Sequence, residues 1–213
     1  MSYKTTGQKL IMNIFIIRHG ETAFNVGEHK FRGRMDIPLS ELGLKHVEQA
    51  GKALSNIPLD IIYYSKLSRT RITASKIGQN QKKTQLLEEP FLYDISFGDW
   101  EGKADREVFS SKEEEKRWHT DPHSFIIPNG ETFYQVLNRI HRLFKRLESQ
   151  KEESIALVSH GVVIALMFVY LYRTHPSNFW KFFVKPCSIS HIVLRESGNF
   201  KLVKINDCHH LQD

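Results

Sequence analysis

The chain alternates between short, wholly apolar runs and longer stretches in which apolar residues recur every three or four positions. Asn13-Ile14-Phe15-Ile16-Ile17 is a run of the first kind, and so are "DIIYYS" at 60–65 and "SIALVSH" at 154–160. Runs this short and this apolar read as buried strands. Ser40 is a good helix N-cap, and Leu44, Val47, Gly51 and Leu54 then mark one face of a helix that ends near Asn56-Ile57-Pro58. A second helix is predicted over 69–77. Phe133, Leu137, Ile140, Phe144 and Leu147 form the clearest helical stripe, opened by "NGET" at 129–132. The third apolar run feeds directly into the helix "GVVIALMFVYLY". Two strands, "SISHIVLRES" and "FKLVKIND", close the pattern, joined by a hairpin turn at Gly198-Asn199.

This alternation predicts an α/β fold: a mainly parallel central sheet with helices on both faces. The 213 residues suit a single domain, 1–213. Residues 103–129 fit the rhythm poorly. They are charged ("KEEEKRW") and then loop-like around Pro122 and Pro128. They read as a small helical excursion over the active-site edge, a cap that would set specificity; a solvated surface helix without a role is the alternative. Trp118 and Phe125 would pack there on a substrate or form the excursion's own small core.

Composition narrows the classes. The chain is 40% hydrophobic and 25% charged, as in ordinary soluble proteins. Net charge is +6, but Lys and Arg are scattered with no long basic run or stacking motif, so no nucleic-acid partner is expected. The first dozen residues lack an apolar core of signal-peptide length. The run 154–172 has Ser159, His160 and Gly161 inside it and reads as a strand feeding a helix, so no membrane partner is expected and the location is taken as cytoplasmic. Cys187 and Cys208 fit no metal spacing and are expected as free thiols.

The chemistry gathers at strand ends. "IIRHGET" and "LVSHGVV" are each an apolar strand followed by His-Gly, and in a parallel sheet both histidines reach the carboxyl edge, where α/β sheets bind ligands. "DIIYYS" ends just before Arg69, at the same edge. Two histidines with Arg18 and Arg69 suit an anion.

Taken in order along the chain, "RHGET" with Asn25, "RGRMDIPLSELG", "YSKLSRTRITA", "LYDISFGDWEG", "PNGET", "VSHG" and "NDCHHL" resemble the histidine phosphatase superfamily in its phosphoglycerate mutase-like branch. The resemblance implies that His19 is the nucleophile, forming a phosphohistidine through one ring nitrogen while the other is oriented by a backbone carbonyl. It implies that Arg18, Arg69 and His160 surround the phosphoryl oxygens, with the Gly161 amide at a helix N-terminus and Asn25 adding hydrogen bonds. Thr22 joins the phosphate contacts or, with Glu21, merely closes the loop. Asp94 would be the general acid, then the base for water. The family usually has Glu there.

Other departures are Arg32 for Gln, either a cation at the pocket rim or a solvent residue, and Val162 and Ala165 for Gly and Arg, expected to stay off the phosphate pocket. No metal-ligand cluster is evident: His119 and His123 are separated by Pro122, and His209-His210 lie in the tail. No metal or other cofactor is expected. The implied function is a metal-independent phosphomonoester hydrolase for a small phosphorylated metabolite, similar to the short phosphatases of the branch (α-ribazole, broad-specificity and metal-independent phosphoserine phosphatases). Phe97 stands where the last group usually has His. The alternatives are a bisphosphoglycerate-dependent phosphoglycerate mutase and a phosphate-ligand binding protein that has lost catalysis. A homodimer is compatible with either.

Overall fold

A computed structural model describes residues 10–25, 30–195 and 198–212. The N-terminal stretch read for a signal peptide lies largely outside these residues, as does the Glu196-Ser197 end of the predicted penultimate strand.

Among the described residues, six strands form one sheet. They are β1 (Leu10–Arg18), β2 (Ile61–Tyr64), β3 (Gln85–Glu88), β4 (Ser154–Ser159), β5 (Ile189–Arg195) and β6 (Phe200–Asp207), in the order β3-β2-β4-β1-β5-β6. β1–β4, β2–β4 and β2–β3 pair in parallel, while β5 runs antiparallel to both β1 and β6. β3 is the strand the pattern did not reveal. It is four residues long and exposed throughout, so no buried run marks it.

Alternation along the strands divides the core in two. Phe15, Ile17, Ile62, Ala156 and Val158 face one side and pack with Leu54, Ala74 and Ile77, which belong to α1 (Glu41–Ala53) with its following residue and α2 (Ser68–Gly78). Met12, Ile14, Ile16, Ile61, Ile155 and Leu157 face the other, under α5 (Phe133–Leu147) and α6 (Gly161–Leu171). Ser40 caps α1 as expected, accepting from the Gly43 amide at 3.0 Å. Thr132 caps α5 in a reciprocal box with Gln135. α6 is apolar on every side because the core and the segment that follows it enclose it.

Residues 103–129 contain the short helices α3 (Asp105–Val108) and α4 (Lys112–Thr120) and a 3-10 turn, Pro122–Ser124. Their apolar residues join a ring cluster around Trp118, with Phe31, Trp100, Phe109 and Phe125 at 5.4–6.1 Å between centroids. Phe125 therefore belongs to that small core.

Two loops are zipped together beneath this cluster. Asp99 donates its amide to the Pro128 carbonyl at 3.0 Å, and Glu131 donates to Ser96 at 2.8 Å. Gly98 sits between them with φ +46°, and a Cβ there would lie 2.1 Å from the Pro128 oxygen. Both the dihedral and the contact demand glycine. Gly98→Ala is expected to cost about 2 kcal/mol or more, lowering Tm by roughly 4–8 °C for a chain of this size. Thermal unfolding followed by circular dichroism checks this, and an unchanged Tm refutes the close packing of the two loops.

Candidate active site

β1 and β4 pair so that Arg18 lies opposite Ser159. The next residues, His19 and His160, therefore emerge together, with ring centroids 5.2 Å apart. The His19 amide continues the ladder to the Ser159 carbonyl at 3.0 Å. His19 is buried, and its Nδ1 lies 2.6 Å from the Gly20 carbonyl oxygen. That acceptor requires a proton on Nδ1, which leaves the lone pair on Nε2. The Gly20 amide in turn donates to Thr73 Oγ1 at 3.3 Å, so α2 tethers the residue whose carbonyl orients the ring. Burial first, then His160, Arg69, Arg18 and Arg32, hold the His19 imidazole well below its ordinary range, so that it is neutral.

His160 stands at the N-terminus of α6. Its Nε2 is 2.8 Å from Ser65 Oγ, at the end of β2, and its Nδ1 is 3.4 Å from Asp94 Oδ2. Burial, followed by Arg69 and the neighbouring guanidiniums, pushes it well below the usual histidine range.

Arg69 is fully buried in the first turn of α2. It donates to the Met35 carbonyl at 2.7 Å, the Gly33 carbonyl at 2.8 Å and Asp94 Oδ2 at 3.1 Å. Arg18 donates to the Val184 carbonyl at 2.5 Å and lies 5.0 Å from the Phe183 ring centre. Its Nε is buried without a hydrogen bond, as is Arg69 Nε, and His160 Nδ1 has only the longer contact with Asp94. Gly161 allows this approach, since a Cβ there would meet Phe183 at 2.9 Å and the Arg18 guanidinium at 3.1 Å. The Cys187 amide fastens the wall by donating to the Arg18 and His19 carbonyls at 3.1 and 3.2 Å.

Arg32 turns inward, half-buried, donating to Thr22 Oγ1 at 2.9 Å and Asn25 Oδ1 at 3.0 Å. Thr22 and Asn25 thus meet Arg32 from behind, and Asn25 Oδ1 also accepts from the Thr22 amide at 2.9 Å. Burial, with Arg32 and Arg69 adding to it, pushes Arg18 down to about 9; burial and Arg69 push Arg32 down to about 10. Both stay charged at neutral pH. Three crowded guanidiniums face one carboxylate, Asp94, and a dianion entering between them relieves the repulsion.

Asp94 is 6% exposed. Besides Arg69 and His160, it accepts from the Ile95 amide at 3.0 Å through Oδ1. Burial raises its pKa, against the opposing pull of Arg69 and Arg32. A carboxyl held towards its acid form thus lies against the neutral His160 imidazole and lines the same cavity as His19.

These groups open into a cavity of about 310 Å³. Arg18, His19, Arg32, Asp94 and Gly161 line it, while Arg69 and His160 lie against Asp94 behind the lining. Trp118 and His119 of α4 line its cap side, and Val162 also reaches it, contrary to the expectation from the sequence. Val162 follows Gly161 on the first, outward turn of α6; Ala165 is in the core. Phe179, Trp180 and Phe183, after α6, supply a second aromatic wall that periodicity did not flag, although "FWKFF" is the densest aromatic run in the chain.

The metal reading needs amendment. Among the described residues Asp105, Glu115 and His119 bring ligand atoms within 4.8 Å of one another on the cap. Glu115 and His119 share a face of α4; Asp105 arrives from α3, which spacing could not reveal. His209 and His210 lie elsewhere, His210 Nε2 being 3.1 Å from the Cys187 carbonyl. Glu21 is occupied by Ser40 at 2.8 Å, closing the loop.

The profile of the histidine phosphatase superfamily, branch 1, matches residues 14–208. Phosphoserine phosphatase 1 of Hydrogenobacter thermophilus is 31% identical over 203 residues, covering 93% of this chain and 94% of the relative. The adenosylcobalamin/alpha-ribazole phosphatase of Salmonella typhimurium is 30% identical over 176 residues, covering 82% and 86%. The crystal structure of the alpha-ribazole phosphatase from Shigella flexneri superposes with a TM-score of 0.82 at 28% identity, covering 92% of this chain and 96% of that one. The chain belongs to the histidine phosphatase superfamily, branch 1, and is an enzyme of its phosphatase class.

Proposed function

We propose that the protein hydrolyses phosphomonoesters through a phosphohistidine at His19, without a metal, and that Asp94 is its general acid. The observation that carries this is the pinned tautomer of His19 among crowded, under-neutralised arginines. Nε2 attacks phosphorus and forms a P–N bond as the ester P–O bond breaks. Asp94 gives its proton to the departing oxygen. Arg18, Arg32 and the Gly161 amide, which line the cavity, hold the phosphoryl oxygens, and Arg69 and His160 back them from behind Asp94, the preorganised polar setting that phosphoryl transfer requires. Asp94, now a carboxylate, takes a proton from water, whose oxygen attacks phosphorus and releases Nε2 with inorganic phosphate.

Beyond the phosphate end, the walls are Phe31, Phe97, Trp118, Phe179, Trp180 and Phe183. That aromatic surface favours a leaving group with an apolar or flat aromatic portion, while Lys30, Asp105 and His119 in the same lining offer partners to its polar groups. The substrate is therefore read as the phosphate ester of such an alcohol.

Three outcomes are expected. His19→Ala abolishes turnover, and Arg18→Ala lowers kcat/KM by about 10²–10³-fold or more. Quenched wild-type enzyme carries an acid-labile phosphoryl group that His19→Ala lacks, and EDTA leaves the rate intact. Normal turnover by His19→Ala, or a loss on chelation restored by a divalent cation, overturns the mechanism.

The pH profile has a definite sign. Asp94 must be protonated when substrate binds and His19 must be neutral. Burial holds the first pKa up and the second down, so activity persists into acid and declines as pH rises through the pKa of Asp94. Asp94→Asn should remove that alkaline limb and slow alkyl phosphates far more than 4-nitrophenyl phosphate, whose leaving group departs without a proton. Unchanged alkyl-phosphate turnover in Asp94→Asn assigns the acid elsewhere.

An arylalkyl phosphate should exceed phosphoserine in kcat/KM by tenfold or more, about the effect of burying one or two extra methylenes. Phosphoserine equal or better refutes the apolar-pocket reading. In the same assays 3-phosphoglycerate with a bisphosphate primer separates release of phosphate from isomerisation.

A further inference from the structure

The motif "PNGET" contributes nothing to the cavity, yet its Glu131 is the hub of the contacts that hold the loop carrying Asp94. Glu131 Oε2 accepts from the Ser96 amide at 3.0 Å, while the Glu131 amide donates to the Ser96 carbonyl at 2.8 Å. The same carboxylate meets Arg34 at 3.1 Å and Arg139 Nε at 3.4 Å. Each arginine then grips a carbonyl of the Asp94 loop. Arg34 Nε donates to the Asp94 carbonyl at 3.2 Å, and Arg139 donates to the Phe91 carbonyl at 2.6 Å. One carboxylate thus closes a bracket around Asp94 from both chain directions.

We propose that Glu131 is a positioning residue for Asp94: it fixes the loop through Ser96, Arg34 and Arg139, and it neutralises those two arginines so that their charge does not draw the proton from the acid. This rests on the reading of Asp94 as the general acid.

The electrostatic half of the argument has a clear direction. Asp94 is faced by Arg69 from α2, Arg32 from the loop before α1, Arg18 from β1, His160 from the start of α6, Arg139 from α5 and Arg34 at its backbone. Both histidines are neutral. Arg69 and Arg32 already favour the carboxylate, and Arg139, largely buried, interacts with Asp94 as well as Glu131. Removing the negative charge of Glu131 leaves Arg34 and Arg139 uncompensated. Their positive potential at Asp94 rises, the carboxylate gains and its pKa falls. The alkaline limb of activity must then move to lower pH.

Glu131→Gln keeps the shape and an oxygen for the Ser96 amide but removes the charge. In the full-length enzyme the alkaline limb of kcat/KM for an alkyl phosphate should fall by about 0.5–1 unit. The single-turnover phosphorylation rate with 4-nitrophenyl phosphate should stay within about threefold of wild type, since that leaving group needs no proton. Adding Arg34→Gln to Glu131→Gln removes one uncompensated cation and should move the limb back up; Arg34 is 39% exposed, so the double variant tests the charge without opening the core. An unshifted limb in Glu131→Gln, beside a limb that Asp94→Asn abolishes, overturns the bracket alone. An equal loss on both substrates with the limb in place reduces Glu131 to a structural residue and overturns it too. A limb that survives Asp94→Asn overturns the acid assignment and the bracket together.

Discussion

Arg18 of β1 lies opposite Ser159 of β4 in a parallel register, and the residue after each is a histidine. Everything at the phosphate end follows from that pairing. Strand side chains alternate with a period of two, so a slip of one residue would send His19 and His160 to opposite faces. The register is locked by the core itself. Ile14 and Ile16 lie under α5 and α6, whereas Phe15 and Ile17 lie under α1 and α2, and any slip would exchange two packed faces. The apolar runs that make the strands unmistakable in sequence are thus what fixes the distance between two catalytic candidates.

The second constraint is electrostatic. Arg69 is wholly enclosed, and Arg18 and Arg32 are largely withdrawn from water. Such cations are costly unless paired. Main-chain carbonyls of Gly33, Met35 and Val184 satisfy part of their hydrogen-bonding capacity without neutralising charge. Asp94 supplies the compensating carboxylate. The crowded guanidiniums therefore repel one another, a repulsion that a phosphoryl dianion between them would relieve, and the same field, added to burial, keeps the histidines neutral. A protonated His19 would be both unreactive and repelled.

The sheet's centre, α1, α2, α5 and α6 were legible in sequence because burial imposes period and composition on them. The histidines and arginines were legible because a polar residue closing an apolar run sits where a strand emerges from the core. Ser65 closes "DIIYYS" in the same manner and could have been read so. β3 was not legible, since an exposed four-residue edge strand carries no pattern. Nor was the second aromatic wall: Phe179, Trp180 and Phe183 lie in a 3-10 stretch and its sequel, where no helical or strand period applies. The metal-capable trio on the cap depends on α3 meeting α4, a tertiary contact. The inward turn of Arg32 was left open between rim and solvent, and Thr22 and Asn25 decided it by offering oxygens inside the loop.

Asp94 is shorter by one methylene than the glutamate usual at its place, so its carboxyl reaches less far from the main chain. On the proposed reading of Asp94 as the acid, that shorter reach makes the carboxyl's place depend on where the loop holds its main chain. Its tethers do lie on the backbone: Ser159 Oγ donates to the Leu92 carbonyl at 2.8 Å, Arg139 to Phe91, and Arg34 to Asp94 itself. On the far side, Gly98 lets the chain turn flat against residues 128–130. A long acid on a loose loop could find the leaving oxygen by rotating its own side chain. A short acid has fewer torsions to search with, and its placement passes to the backbone. The cost is that the acid's position becomes sensitive to residues remote from the phosphate. On the proposed reading of Asp94, the loop motif "PNGET" bears on the site through the backbone that carries the acid and not through contact with substrate.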